Sequence, residues 1–202
     1  MAKVIHYYAH PGHRFSSINK AMWDASRQVE NVMHVDLCRE YPRYDINIDQ
    51  EQARLLSHDI IVVQFPMFWY SAPALVKEWL DLTFEHGFAY GDGGSQLKGK
   101  WLMLAVSTSA PECAFSGKGY QHYPLRTFLT PFEQTARLSG MRFAAPYVRY
   151  GALEGSSQAH AEGFVRLLQA LRNDRYNLEV AEASECIHHD TLPLNQPLHT
   201  EA

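Results

Sequence analysis

Short apolar runs recur along the chain, and between them the apolar positions follow helical spacing. The clearest run is residues 60–66, IIVVQFP, which holds a single polar side chain and ends at a proline. Such a run is typical of a strand that is covered on both faces. Behind Pro73, apolar residues at 75, 76, 79, 80 and 84 recur at the spacing of a helix. The same criteria predict strands near 3–9, 31–37, 60–66, 101–106 and 143–150, and helices near 17–29, 49–56, 73–84, 125–138 and 158–171.

Strands alternate with helices along the chain, and this order predicts parallel β-α-β units. The expected fold class is α/β, a flavodoxin-like three-layer sandwich. Its five-stranded parallel sheet has the order 2-1-3-4-5 and carries helices on both faces. We expect residues 1–173 to form this single domain. Residues 174–202 lose the periodicity and are predicted to be a polar tail that is disordered or packed on a partner subunit.

Composition narrows the possible functions. Of the 202 residues, 46% are apolar and 20% are charged, which is ordinary for a globular protein. The net charge of −4 argues against a general nucleic-acid binder. Cys38, Cys113 and Cys186 are far apart and form no C-x-x-C pair, so we expect neither a disulfide framework nor a structural zinc site. With no secretory signal and no spanning apolar stretch, we expect a cytoplasmic protein.

The loop after the first strand carries polar side chains. In this class of sheet, ligands bind beyond the carboxyl ends of the strands. The loop HPGHRFSSIN supplies His10, His13, Ser16, Ser17 and Asn19. Together with the free N–H groups of a helix start, these groups suit an anion such as phosphate. The motifs of nucleoside triphosphatases and of the usual dinucleotide fold are absent. A polar loop with a serine N-cap and no ligand is the alternative.

The loop after the third strand, PMFWYSAP, is aromatic where a loop is usually polar. Met67, Phe68, Trp69 and Tyr70 suit a planar ring bound at this edge of the sheet. The alternatives are a plug of the core and a dimer contact.

The loop after the fourth strand begins with the sequence STSAP. Ser107 and Thr108, with their backbone N–H groups, are candidates to hydrogen-bond a ring carbonyl or ring nitrogen. Further along, a set of ring side chains is placed to wall a substrate pocket: Phe115, Tyr120, His122 and Tyr123. The alternative is an ordinary surface loop.

Three groups of motifs together resemble one known family. They are YAHP (8–11) with SSIN (16–19), QFPMFWYSAPALVKEWLD (64–81), and HGFAYG (86–91) with LKGK (97–100). The chain resembles the flavodoxin-like NAD(P)H:quinone oxidoreductases, and most of all the ancillary oxidoreductases of bacterial glutathione-regulated potassium efflux systems. The similarity covers residues 3 to about 150.

The resemblance implies a non-covalent flavin, FMN with FAD as the alternative, and NAD(P)H as co-substrate. His10, Ser16, Ser17, Ile18 and Asn19 would hold the phosphate and ribityl end. Met67, Phe68, Trp69 and Tyr70 would line the isoalloxazine ring, and Ser107, Thr108, Ser109 and Ala110 would meet its edge. The resemblance also implies a homodimer with the site near the subunit interface.

Two features depart from the family pattern. The family often has TTGG after the fourth strand, whereas this chain has Ser107-Thr108-Ser109-Ala110. Without both glycines, the backbone approaches a ring less freely. Relatives that carry an active-site tyrosine in this loop have it near the position of Phe115, which cannot donate a hydrogen bond.

Two functional hypotheses follow from these observations. In the first, the protein is an enzyme that transfers hydride from NAD(P)H through FMN to a quinone by ping-pong catalysis. His122 and loop N–H groups would then stabilise negative charge on the reduced flavin, while Phe115 and Tyr120 wall the pocket. In the second, the protein is a regulatory subunit that docks on a membrane potassium efflux transporter. A metal site at Cys186, His188, His189 and Asp190 is less favoured than a solvated tail.

Overall fold

A computed structural model describes residues 1–195 except 13, 15 and 154. The strands are β1 (Val4–Tyr8), β2 (Val32–Asp36), β3 (Ile60–Pro66), β4 (Trp101–Ser107) and β5 (Arg142–Arg149). The helices are α1 (Ile18–Ser26), α2 (Leu37–Glu40), α3 (Ile48–Ser57), α4 (Ala74–Thr83), α5 (Leu125–Phe128), α6 (Thr130–Leu138), α7 (Gln158–Arg172) and α8 (Leu178–Ala183).

The five strands form one parallel sheet in the order β2-β1-β3-β4-β5. Every residue of β1 and of β3 is buried, because helices cover both faces of the sheet. One apolar core joins the sheet to α3, α4 and α6, and a second joins it to α1 and α7. The predicted α/β fold, sheet order and three layers are therefore confirmed.

Some helix ends differ from the sequence prediction. α1 ends at Ser26 rather than near Val29, because the chain turns there and Val29 packs into the core. The helix predicted across residues 125–138 is divided at Leu129, and Pro131 lies in the first turn of α6, where a missing N–H group is tolerated.

The segment after residue 173 packs on its own domain. Tyr176, Ala181 and Ile187 are buried in the core that contains α1 and α7. Ile187 also joins the outer edge of β5: its N–H donates to the Pro146 oxygen, and its oxygen accepts from the Val148 N–H, both at 2.9 Å. The expectation of a disordered or partner-bound tail is therefore wrong for residues 174–195. In the described part of the chain, no helix has the length and apolar character needed to cross a membrane.

Candidate functional site

A cleft of about 220 Å³ opens at the edge where β1, β3 and β4 end. Open α/β sheets bind their ligands at this edge. The loops after β1, β3, β4 and β5 form its walls with His10, Ser16, Ser17, Ile18, Asn19, Pro66, Met67, Phe68, Ser107, Ser109, Ala152 and Leu153. The three loops selected from the sequence thus converge on one cleft.

The amino end of α1 faces this cleft. Ser17 occupies the N-cap position, but within the described structure its side chain makes no capping hydrogen bond. The Ser16 hydroxyl instead accepts from the Asn19 N–H at 3.2 Å. The first turn carries no acidic residue, so the positive end of the helix dipole is left uncompensated by its own helix. This end therefore has the chemistry of an anion site. His13, the second imidazole of this loop, lies outside the described residues.

His10 is buried beside this helix end, 8% exposed. The Gly12 N–H donates to its Nδ1 at 3.1 Å, which places the proton of the neutral ring on Nε2. The Phe68 ring packs edge-on against His10, with the ring centroids 5.9 Å apart. The first and second loops are therefore held together by an aromatic contact.

The aromatic loop after β3 forms a tight turn. Phe68 and Ser71 exchange two backbone hydrogen bonds, of 2.9 and 3.1 Å. The two residues between them both have left-handed backbones, with φ of +47° at Trp69 and +67° at Tyr70. A turn of this kind normally uses glycine or asparagine, and each other residue costs about 1–2 kcal/mol. The turn is thus strained.

The strained turn separates the side chains of this loop into two groups. Met67 and Phe68 line the cleft. Trp69 projects away from the domain with 93% of its surface exposed, and Tyr70 stacks on Phe128 with ring centroids 5.1 Å apart. Of the four residues predicted to line a planar ring, the single chain brings two to the cleft.

The side chains of the loop after β4 also fall into two groups. Ser107 and Ser109 line the cleft, whereas Thr108 and Ala110 are buried outside its wall. The Thr108 N–H donates to the Arg149 oxygen at 2.9 Å, and the Ala110 N–H donates to the Thr108 hydroxyl at 3.3 Å. The Thr108 N–H, which we expected to be offered to a ligand, is used inside the fold instead. Neither Ser109 nor Ala110 has a positive φ, so the loop keeps its shape without glycine.

The three residues proposed as catalytic lie outside the cleft wall. Phe115 is buried in the core between Phe128 and Tyr150, with ring centroids 6.1 and 5.5 Å away. The side chains of Tyr120 and His122 are exposed, and Tyr120 reaches 64% exposure. In the single chain, Phe115 therefore lies in the core, whereas Tyr120 and His122 lie at the surface.

Sequence reasoning missed two contributions to the site. Ala152 and Leu153 close one side of the cleft from the loop after β5. Because β5 is parallel to the other strands, its carboxyl end had to lie at the same edge, and this signal was present in the sequence. Phe128 was missed as well: Tyr70 stacks on its ring and Tyr123 approaches it edge-on at 6.0 Å, so it links the second and third loops.

The cysteine and histidines of the tail lie apart from the cleft. Cys186 Sγ is 3.5 Å from His188 Nε2, which in turn is 3.6 Å from a Glu112 carboxyl oxygen. Burial raises the pKa of the Cys186 thiol, which disfavours the thiolate. Over residues 1–195, apart from the three left out, no three His, Cys, Asp or Glu side chains are grouped to hold a metal ion.

Comparison with known proteins agrees with this architecture. The sequence model of the family described as flavodoxin-like fold matches residues 2–173. The chain belongs to this family. The match spans all five strands and every loop that forms the cleft.

Two relatives and a solved structure cover nearly the same length. The chain is 38% identical over 170 residues to the uncharacterized NAD(P)H oxidoreductase YrkL of Bacillus subtilis, covering 84% of this chain and 98% of that protein. It is 41% identical over 170 residues to the glutathione-regulated potassium-efflux system ancillary protein KefG of Cronobacter sakazakii, covering 83% and 92%. The crystal structure of general stress protein 14 of Treponema denticola in complex with FMN shares 32% identity and a TM-score of 0.79, covering 84% and 99%.

Proposed function

We propose that this protein is an FMN-dependent NAD(P)H:quinone oxidoreductase. The observation that carries the proposal is the cleft, because it combines an uncompensated helix end, the apolar side chains of Met67 and Phe68, and four serine hydroxyls. A relative 38% identical is an NAD(P)H oxidoreductase, and a structure 32% identical holds FMN.

The donors of the cleft fit FMN. Its phosphate requires N–H and hydroxyl donors without a competing carboxylate, and the start of α1 meets this requirement with Ser16, Ser17 and Asn19. The isoalloxazine ring requires an apolar surface and hydrogen bonds at its polar edge. Met67 and Phe68 would supply the surface, and Ser107 and Ser109 the edge contacts.

When bound, FMN supplies the hydride acceptor and donor that link NAD(P)H to a quinone in two half-reactions. The residues of the chain position the reactants and exclude water. Ser107 and Ser109 would orient the ring edge. His122 lies outside the cleft wall of the single chain, so it would stabilise negative charge on the ring only where a second copy closes the pocket. Phe115 supports the third loop from within the core, and Tyr120 would wall the substrate side.

We further propose that the active form is a homodimer. Trp69, Tyr70, Tyr120 and Tyr123 each leave about half or more of their surface exposed near the cleft. Exposed aromatic residues grouped on one side of a domain are typical of an interface. A second copy of the chain covering them would close the open side of the cleft and complete the substrate pocket.

The first experiment is to purify the protein, record its visible absorption spectrum and identify any released chromophore by mass. We expect FMN, and NAD(P)H oxidation that depends on added quinone. Released FAD would correct the cofactor and keep the reductase. A colourless protein that also fails to take up added FMN would refute the enzyme proposal.

A second candidate function is a regulatory subunit that docks on a membrane potassium efflux transporter. The observation that favours it is the 41% identity to KefG over 92% of that protein. Co-expression with a glutathione-regulated efflux transporter should then raise potassium efflux. An FMN-binding protein with negligible turnover that still activates efflux would favour this function over the enzyme.

A further inference from the structure

A chain of polar side chains leads from the edge strand β2 to the cleft. Its members are His34, His6, Gln64, Asn19 and Ser107, and neighbouring members lie within 3.1 Å or less except for the Gln64–Asn19 side-chain contact of 3.3 Å. All except His34 are less than 5% exposed. Burying this many polar groups is unfavourable unless each donor meets an acceptor, so the hydrogen bonds must have one consistent direction.

Gln64 fixes that direction. Its amide nitrogen lies 3.1 Å from the main-chain oxygen of Asn19, which can only accept a hydrogen bond. The group of Gln64 that faces Asn19 must therefore be the NH₂. Its Oε1 consequently faces His6 Nε2, 3.0 Å away. Because this oxygen can only accept a hydrogen bond, His6 must carry its proton on Nε2 and donate it to Oε1.

On the cleft side, the same direction reaches Ser107. The Gln64 NH₂ also lies 3.3 Å from Asn19 Oδ1, so the Asn19 oxygen accepts and its Nδ2 turns toward Ser107. Asn19 Nδ2 donates to the Ser107 hydroxyl oxygen at 2.7 Å. This oxygen is already an acceptor toward Asn19, which leaves the Ser107 hydroxyl proton to be donated elsewhere, and Ser107 lines the cleft.

On the other side, the direction fixes the tautomers of two histidines. Burial holds the pKa of His6 well below its usual value, so the ring is neutral, with its proton on Nε2 and a bare Nδ1. His34 Nδ1 lies 3.1 Å from His6 Nδ1. Because His6 Nδ1 carries no proton, His34 must donate the hydrogen bond through an Nδ1–H group. Ser26, 3.4 Å from His6 Nδ1, donates its own proton to the Trp23 oxygen at 2.8 Å.

We propose that Gln64 and His6 are positioning residues that hold the Ser107 hydroxyl as a hydrogen-bond donor toward the cleft. The group that takes the Ser107 hydroxyl proton is an acceptor, such as a ring carbonyl, an unprotonated ring nitrogen or a phosphate oxygen. That this group belongs to FMN rests on the proposed function, but the direction of the chain does not.

The direction can be tested without any ligand. Two-bond ¹H–¹⁵N correlation spectra of the full chain report which ring nitrogen of each histidine carries the proton. At neutral pH we expect the Nε2–H form for His6 and the Nδ1–H form for His34, with His6 staying neutral to well below the pH at which an exposed imidazole takes up a proton. An Nδ1–H form at His6 would reverse the direction of these hydrogen bonds and overturn the inference.

The effect on the ligand is tested by a double-mutant cycle on FMN affinity. Ser107→Ala should raise the Kd for FMN about fivefold to tenfold, the usual range for one lost hydrogen bond. Gln64→Met keeps the length of the side chain but frees the Asn19 amide, so it should raise the Kd about threefold or more. In the Ser107→Ala background, Gln64→Met should have no further effect.

Thr83→Val is the matched control, since Thr83 is fully buried on the other face of the sheet and its hydroxyl has no hydrogen-bond partner among the described residues. It should change the Kd less than twofold. Equal effects of Gln64→Met in both backgrounds would show that Gln64 acts only through the fold and would overturn the inference. If the wild-type protein binds no FMN, the proposed function fails, while the histidine spectra still decide the inference.

Discussion

Glu51 shows how a single buried carboxylate joins two helices. Its side chain is 0% exposed and lies on α3, where it accepts from the Tyr41 hydroxyl at 2.6 Å and from Trp79 Nε1 at 3.0 Å and pairs with Arg54. A buried charge is tolerated only with such partners, and removing one member leaves the others unpaired.

Glu51→Leu should therefore lower the free energy of unfolding by about 3 kcal/mol, because Arg54 and two polar ring groups lose their acceptor. Urea denaturation measures this change. Lys77→Ala removes one member of the exposed pair with Asp81, and we expect less than about 0.5 kcal/mol there. Similar losses for the two variants would contradict the role given to Glu51.

His160 makes stability depend on pH. It is 3% exposed, and burial together with the nearby Arg149 charge lowers its pKa from 6.5 to about 3. The unfolded chain takes up a proton at this residue near pH 6.5, whereas the folded chain does so only near pH 3. Between these values the unfolded state binds more protons, so stability is lost as the pH falls.

His160→Phe should reduce the slope of the free energy of unfolding against pH by about 1.4 kcal/mol per pH unit between pH 6 and 4. Phenylalanine preserves the ring that stacks on Tyr147, and the replaced Nε2 has no hydrogen-bond partner in the described part of the chain. An unchanged slope in His160→Phe would show that this imidazole is protonated in the folded state.

At the level of elements, the strands were predicted more accurately than the loops. Continuous apolar runs such as residues 60–66 can hardly be anything other than central strands, and the parallel order followed from the alternation with helices. The sequence around Pro131 is ambiguous, since a proline in a helical pattern marks either a break or a first turn. Only the three-dimensional structure shows which backbone groups near it are satisfied.

The turn at Trp69 and Tyr70 had no signal in the sequence. A two-residue turn of this shape is normally indicated by glycine or asparagine. Trp69 and Tyr70 give no such indication, so the turn could not be predicted. For this reason the sequence predicted four ring-lining side chains, whereas the turn directs two of them outward. Strain of this kind, held by the surrounding structure, is concentrated at functional sites.

Trp69→Gly should raise the free energy of unfolding by about 1 kcal/mol, because glycine adopts the left-handed backbone without a steric penalty and Trp69 has little buried surface to lose. The same variant should lower quinone turnover if Trp69 lines a pocket completed by a second copy. Tyr120→Gly, at an exposed residue without a positive φ, should instead lower stability. A stability loss in Trp69→Gly would show that the turn is not strained.

For the whole molecule, the segment beyond residue 173 contributes to the domain rather than extending from it. α8 and the stretch around Ile187 pack on β5, and Arg142 of β5 pairs with Glu179 and Glu182 of α8. The sequence missed this because α8 is short and its apolar positions show no clear period. Its contribution depends on contacts with distant residues, which periodicity does not reveal.

Truncation after residue 173 should lower the free energy of unfolding by about 3 kcal/mol or more, since it exposes the surfaces now buried by Tyr176 and Ile187. Thermal unfolding of the truncated and full chains measures the loss. A chain truncated after residue 173 that is as stable as the full chain would contradict the packing role of this segment.

The Ile187 backbone has a consequence for how copies of this protein meet. An uncovered outer strand invites another chain to pair with it and extend the sheet, which is a common route to aggregation. Here β5 contains Pro146, which has no N–H group to offer, and the hydrogen bonds of Ile187 occupy the Pro146 oxygen and the Val148 N–H. Strand addition is thereby disfavoured along this stretch of β5, so a second chain cannot extend the sheet through the backbone of Pro146 and Val148.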